Sequence, residues 1–172
     1  MNYFELFDIK PTLKPDKKLI STRYFELQKK YHPDFFSQES EEEQAKALEK
    51  SSMINKAWKV FNDTDETIKY VLQLKGLLEE EEKYQLPPDF LMEMMELNEK
   101  LAEAKMEGDS IAMADCRLQI ADWEEKEYDT IKEIVEHYQE GITSKEELLQ
   151  VKEYYFKKKY LRRLAGQLNG MA

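Results

Sequence analysis

An all-α protein with two unlike halves is what this sequence predicts, on three observations. Apolar residues recur at three- and four-residue intervals along most of the 172 residues, the period of helices that bury one face. Only five Gly and five Pro interrupt a composition that is 36% charged, a balance typical of helical proteins. Charge supplies the third observation. Residues 1–76 carry 13 Lys and Arg against 13 Asp and Glu, residues 77–172 carry 13 against 23, and the net charge of -10 therefore belongs to the second half. With 41% apolar and 12% aromatic residues, the chain can bury a core.

Tyr3, Phe4, Leu6 and Phe7 predict a short opening helix, followed by the breaker segment from Lys10 to Pro15. A longer helix is expected just after Asp16, a good N-cap, because Ile20, Tyr24, Leu27 and Tyr31 fall on one face. That helix must end near His32. Pro33 has no backbone N–H and pushes the preceding residue away from α geometry, so His32-Pro33-Asp34 forms a tight corner carrying an imidazole and a carboxylate. Beyond it, Ser40-Glu41-Glu42-Glu43 reads as a capping box, and Ile54, Ala57, Trp58 and Phe61 supply the buried face of a return helix. The two long helices are expected to pair antiparallel. Asp63, Thr64 and Asp65 open a further short helix containing Ile68, Tyr70, Val71, Leu72 and Leu74, stopped by Gly76.

The seam runs from Gly76 through the acidic Glu79–Glu82 to Pro87-Pro88, which predicts a domain at 1–76, a linker at 77–87 and a second domain at 88–172. In the second domain Phe90, Met94, Leu97, Leu101 and Ala104 form one helical stripe, with Leu91, Met92 and Met95 on neighbouring faces. Gly108-Asp109 separates this helix from a long one bearing Ala114, Leu118, Ala121, Tyr128, Ile131, Val135 and Tyr138, with Gly141 as its stop. Ser144-Lys145-Glu146-Glu147 opens the last helix, whose apolar residues include Leu148, Val151, Phe156, Tyr160, Leu161, Leu164 and Leu168. Three consecutive helices predict an antiparallel three-helix bundle.

Composition and motifs exclude several function classes. Cys116 is the only cysteine, so neither an intramolecular disulfide nor a thiolate-built metal site forms within one chain. The chain lacks a glycine-rich phosphate loop, an HExxH pair and a serine-elbow motif, so no cofactor, metal or hydrolytic chemistry is expected, and the protein is read as a non-enzyme. His32 with Asp34 has no nucleophile to serve, and His137, placed within the second bundle helix, reads as a structural or exposed residue. Bulk acidity argues against nucleic acid, and no apolar run reaches membrane-span length. Without a basic leader ahead of an apolar stretch, a cytoplasmic location is expected.

Lys17, Lys18, Arg23, Lys29 and Lys30 would be a solvated face on an isolated helix. Beside a presented His-Pro-Asp corner, a basic docking face becomes the competing reading of the same charges. Tyr31-His32-Pro33-Asp34 between a Lys/Arg-bearing helix and a second long helix resembles the J-domain, by which co-chaperones stimulate an ATPase chaperone of the DnaK class. Tyr3-Phe4-Glu5-Leu6-Phe7, Ile54-Asn55-Lys56-Ala57-Trp58 and Phe90-Leu91-Met92-Glu93 extend the similarity to the HscB family of iron-sulfur cluster assembly co-chaperones, over nearly the whole chain.

That resemblance implies an HscA-type chaperone docked on His32, Pro33, Asp34 and the basic helix. It also implies an IscU-type scaffold protein held by the bundle through Leu91, Met92, Met95, Glu96, Glu99 and Phe156. Periodicity alone assigns the apolar members of that set to a core, whereas the resemblance assigns them to a surface on which flexible thioethers suit recognition. Asn98 stands where some relatives have arginine, which removes one expected ion pair to the scaffold. The alternative expectation is a generic J-domain co-chaperone delivering other clients.

Overall fold

The computed structural model describes residues 1–169. Seven α-helices and one 3-10 turn make up its regular structure, and no strand occurs among the described residues. In order they are α1 (Tyr3–Leu6), α2 (Lys17–Tyr31), the 3-10 turn (Pro33–Phe36), α3 (Glu41–Phe61), α4 (Thr64–Leu74), α5 (Pro88–Glu107), α6 (Ser110–Glu136) and α7 (Lys145–Asn169). The chain divides into two compact units. One is Met1–Gly76 with Val135–Ser144, and the other is Leu77–Ile134 with Lys145–Ala172.

Local chemistry sets most of the boundaries in the first unit. Asn2 and Glu5 form a reciprocal capping box that opens α1. Asp16 accepts from the Leu19 N–H at 3.1 Å, and Asp63 accepts from the N–H groups of Asp65 and Glu66 at 2.9 and 3.1 Å. Ser40 accepts from Glu43 N–H at 3.2 Å, but the return half of the expected box is replaced by an ion pair from Glu43 to Lys46 at 3.6 Å. Gly76, at φ +69, closes α4 in the left-handed conformation that costs glycine least. Replacing Asp16 by Ala removes one cap acceptor and is expected to lower stability by about 1 kcal/mol, measured by urea unfolding.

The core of this unit is aromatic and aliphatic. Phe4, Phe7, Leu13, Ile20, Ile54, Phe61, Ile68 and Leu72 are all at most 3% exposed. Tyr24 stacks on Trp58 at 4.3 Å, Tyr24 and Gln28 both donate to Asn55 Oδ1 at 3.0 and 2.9 Å, and Lys50 lies over the Tyr31 ring at 5.5 Å. Partners that rise along α2 fall along α3, so the two helices run antiparallel, as predicted.

The second unit packs α5, α6 and α7 around Phe90, Met94, Leu97, Leu101, Cys116, Ile120, Leu161, Leu164 and Leu168. The stripe predicted for α5 is buried in full, Ala104 included. On α6 the register differs from expectation. Ala114, Leu118 and Ala121 face outward, Leu118 being 71% exposed, while Met113, Cys116, Ile120 and Trp123 face the core. Both rows repeat at helical spacing, and the buried one carries Ile and Trp in place of two alanines, so more apolar surface leaves water. Ile131 and Val135 are buried as expected.

α6 also ends at Glu136, ahead of the predicted stop at Gly141, so His137 lies just beyond the helix rather than within it. The connection satisfies its own backbone there. Gln139 N–H donates to Thr143 Oγ1 at 2.9 Å and Thr143 N–H returns to Gln139 O at 3.0 Å, with Gly141 at φ +79 inside the turn. Lys14 pairs with Glu136 at 3.2 Å, and Glu140 accepts from Lys75 and Tyr138. Those contacts hold Val135–Ser144 to the first unit.

Candidate functional site

The polar corner is built by the end of α2. His32 is extended at φ −62 and ψ 132, its N–H still closing the helix onto Gln28 O at 2.9 Å, and Pro33 begins the 3-10 turn at the position where a missing N–H costs nothing. Asp34 N–H donates to His32 Nδ1 at 3.2 Å. The Asp34 carboxylate lies 3.6 Å from the same Nδ1, too far for a hydrogen bond, and its side chain is 88% exposed. Phe35, also exposed, sets its ring edge against His32 at 6.1 Å. The corner therefore presents a carboxylate that no fold-supporting hydrogen bond occupies.

Of the basic residues predicted to flank it, Lys17, Lys18, Lys29 and Lys30 are exposed. Arg23 is not equivalent to them. It is one-third exposed and faces Glu26 at 3.4 Å and Asp8 at 3.9 Å. Lys18, Thr22, Phe25 and Lys29 recur at i, i+4, i+7 and i+11 on the face opposite Ile20 and Tyr24. Phe25, 63% exposed between two lysines, is a candidate contact that sequence reasoning missed. Its signal was an aromatic residue outside the core period.

On the second unit, α5 presents two rows to solvent. Leu91, Met95, Asn98 and Ala102 form one at i, i+4, i+7 and i+11, and Met92, Glu96, Glu99 and Glu103 form the other at the same spacing. Leu91, Met92 and Met95 are 37%, 65% and 61% exposed, so these three are surface residues and not core. Phe156 differs. Only 9% exposed, it lies under the Tyr84 ring, stacked at 4.5 Å with 3° between planes.

Tyr84 belongs to the segment between α4 and α5, which is pinned along the second unit. Glu82 pairs with Lys152 at 2.7 Å, Leu78 is buried, and Leu86 packs on the bundle core. The Lys152 hydrogen bond holds the Glu82 carboxyl below the usual carboxylate range, aided by the Glu79 N–H and opposed by desolvation. A folded-state pKa below the unfolded one adds stability above the unfolded value and loses it as pH falls through the folded value. The stability gap between the wild type and Glu82→Gln is therefore expected to narrow as pH drops from neutral into the acid range, read by urea unfolding at each pH.

No group of three or more His, Cys, Asp or Glu is placed to hold a metal ion among the described residues. Cys116 is buried, and desolvation raises its thiol pKa, which disfavours a reactive thiolate. Among the described residues no helix is long and apolar enough to cross a membrane.

Comparison with known proteins gives concordant matches for both units. A family model described as a DnaJ domain matches residues 2–70, and one described as an HSCB C-terminal oligomerisation domain matches residues 86–169. The chain is 38% identical over 122 residues to a co-chaperone protein HscB homolog of Vibrio vulnificus, covering 69% of this chain and 71% of that one. It is 32% identical over 150 residues to the Vibrio parahaemolyticus homolog, covering 87% and 80%. Its structure is similar to that of human co-chaperone protein HscB with a TM-score of 0.83 at 28% identity, over 98% of this chain and 81% of that one. Chaperone HscB from Vibrio cholerae gives a TM-score of 0.77 at 27% identity, over 98% and 96%.

Proposed function

Because the chain belongs to the HscB family of co-chaperones, we propose that it works by holding two proteins at once and performs no bond-making chemistry of its own. The first unit docks an Hsp70-type ATPase chaperone of the HscA class through His32, Pro33 and Asp34. The second holds an IscU-type iron-sulfur scaffold against α5. The observation that carries this reading is the exposed Asp34 carboxylate, set on a proline-led turn and accepting no hydrogen bond from the fold, with only its turn neighbour His32 close by, at 3.6 Å.

The chemistry of each surface fits its task. Lys17, Lys18, Lys29 and Lys30, with Phe25 among them, attract an acidic surface on the chaperone and orient the encounter. Asp34 then accepts charge-assisted hydrogen bonds, and a docked chaperone is biased toward its hydrolytic conformation. On α5 the apolar row supplies contact area and the acidic row selects a partner with basic residues beside its apolar ones. Covalent joining makes the second encounter intramolecular, which raises the local concentration of scaffold at the chaperone.

The test is ATP turnover by a purified HscA-type chaperone, with this chain, with an IscU-type scaffold, and with both. Stimulation by the chain that the scaffold enhances further is the expected result. Stimulation enhanced equally by an unfolded polypeptide would assign the bundle to general clients, and no stimulation at all would overturn the reading.

A further inference from the structure

The apolar row on α5 does not stop at Leu91. At its N-terminal end the chain folds back so that Tyr84, Gln85, Leu86, Pro87, Pro88 and Leu91 line an open recess. Leu91 is shared by the recess and the exposed row. The walls are set from behind: Phe156 supports the Tyr84 ring face to face, Lys152 lies 5.7 Å from the centre of that ring, and Glu82 neutralises the lysine at 2.7 Å. Leu86 packs against the bundle core and Pro87 beside it is half-buried, so the recess is a formed feature of this unit. Phe156 itself is almost fully covered.

We propose that this recess is part of the scaffold-binding surface, with Tyr84 as a direct contact and Phe156 as a positioning residue that acts by holding the Tyr84 ring. The proposal rests on the reading of α5 as the scaffold surface and adds the recess to it. Its occupant is an apolar side chain from a scaffold segment that also carries lysine or arginine. Charge complementarity argues for that occupant. The acidic row of Glu96, Glu99 and Glu103 runs alongside the apolar row, so a segment lying on α5 places its basic residues over the carboxylates and its apolar residues along Leu91 and Met95. The next apolar residue along that line reaches the recess. Tyrosine suits such a wall because it offers a large rigid face and loses little freedom on binding.

The test measures binding of a purified IscU-type scaffold to the full chain by calorimetry. Tyr84→Ala is expected to weaken binding about tenfold, the loss of one interface anchor, while Tyr84→Phe, which keeps the stack, stays within about twofold. Phe156→Ala is expected to weaken binding to the same degree as Tyr84→Ala. The double variant then loses no more than either single one, because both act through the same ring. Additive losses would make Phe156 a separate contact and overturn its positioning role. Should Tyr84→Ala alter the circular dichroism, Gln85→Arg, at an exposed position lining the recess, sets a cation against the basic segment and is expected to weaken binding about tenfold. Unchanged affinity in Gln85→Arg and Tyr84→Ala, with Leu91→Ala still damaging, would remove the recess from the surface. Unchanged affinity in Leu91→Ala as well would overturn the α5 reading itself.

Discussion

Asp34→Asn is expected to abolish stimulation of the chaperone's ATPase while leaving the chain as stable as the wild type. The two halves of that expectation have separate origins. In the fold, the Asp34 side chain is 88% exposed, and the bond that shapes the corner runs from its backbone N–H to His32 Nδ1, which asparagine retains. A surface change of that kind moves stability by no more than about 0.5 kcal/mol. In the complex proposed above, Asp34 is one half of a buried hydrogen-bonded charge pair, and removing one half of such a pair costs roughly 2 to 5 kcal/mol because the other charge is left buried and unanswered. Thermal unfolding beside steady-state ATP turnover measures both quantities. Wild-type stimulation by the variant would place the docking charge elsewhere.

The second large effect belongs to α5. Leu91→Ala combined with Met95→Ala is expected to weaken scaffold binding by roughly 2 to 4 kcal/mol, the scale of a lost interface anchor cluster. Stability should fall little, since both side chains are exposed at 37% and 61%. Their neighbours one position along the helix behave differently. Phe90 and Met94 are 4% and 0% exposed, and their replacement by alanine would disrupt the bundle instead of the interface. Calorimetry against the scaffold, beside ATPase stimulation measured without scaffold, separates the two units. Retained stimulation with lost binding is the expected pattern, and wild-type affinity would place the scaffold on another face.

The register error on α6 shows where sequence reasoning stops. Ala114, Leu118 and Ala121 repeat at the same spacing as Met113, Cys116, Ile120 and Trp123, and period alone does not choose between two rows of one helix. The choice is made by volume. The bundle interior beside Phe90 and Leu97 is filled by Ile120 and Trp123, with Trp123 edge-on to Phe90 at 5.8 Å. On α5 the stripe of Phe90, Met94, Leu97 and Leu101 is legible in the sequence, yet period alone also assigns Leu91, Met92 and Met95 to the core, and packing leaves those three exposed.

The sequence by itself determined the helical class, the order of the elements, and the His32-Pro33-Asp34 corner. Each of those depends on neighbours within a few residues: the proline φ, the Asp16, Ser40 and Asp63 caps, and the left-handed glycines at Gly76 and Gly108. Only the tertiary structure decided that Phe156 is covered while Leu91, Met92 and Met95 are not, and that Arg23 reaches Asp8 outside its own helix. It also decided that the segment holding Glu82 and Tyr84 lies along α7, and that Val135–Ser144 joins the first unit. Those outcomes rest on partners distant in the chain, as far apart as the 122 residues between Lys14 and Glu136. A side chain's own spacing records which way it can face. What stands in front of it is settled by which distant surface packs there and how much apolar area the contact removes from water.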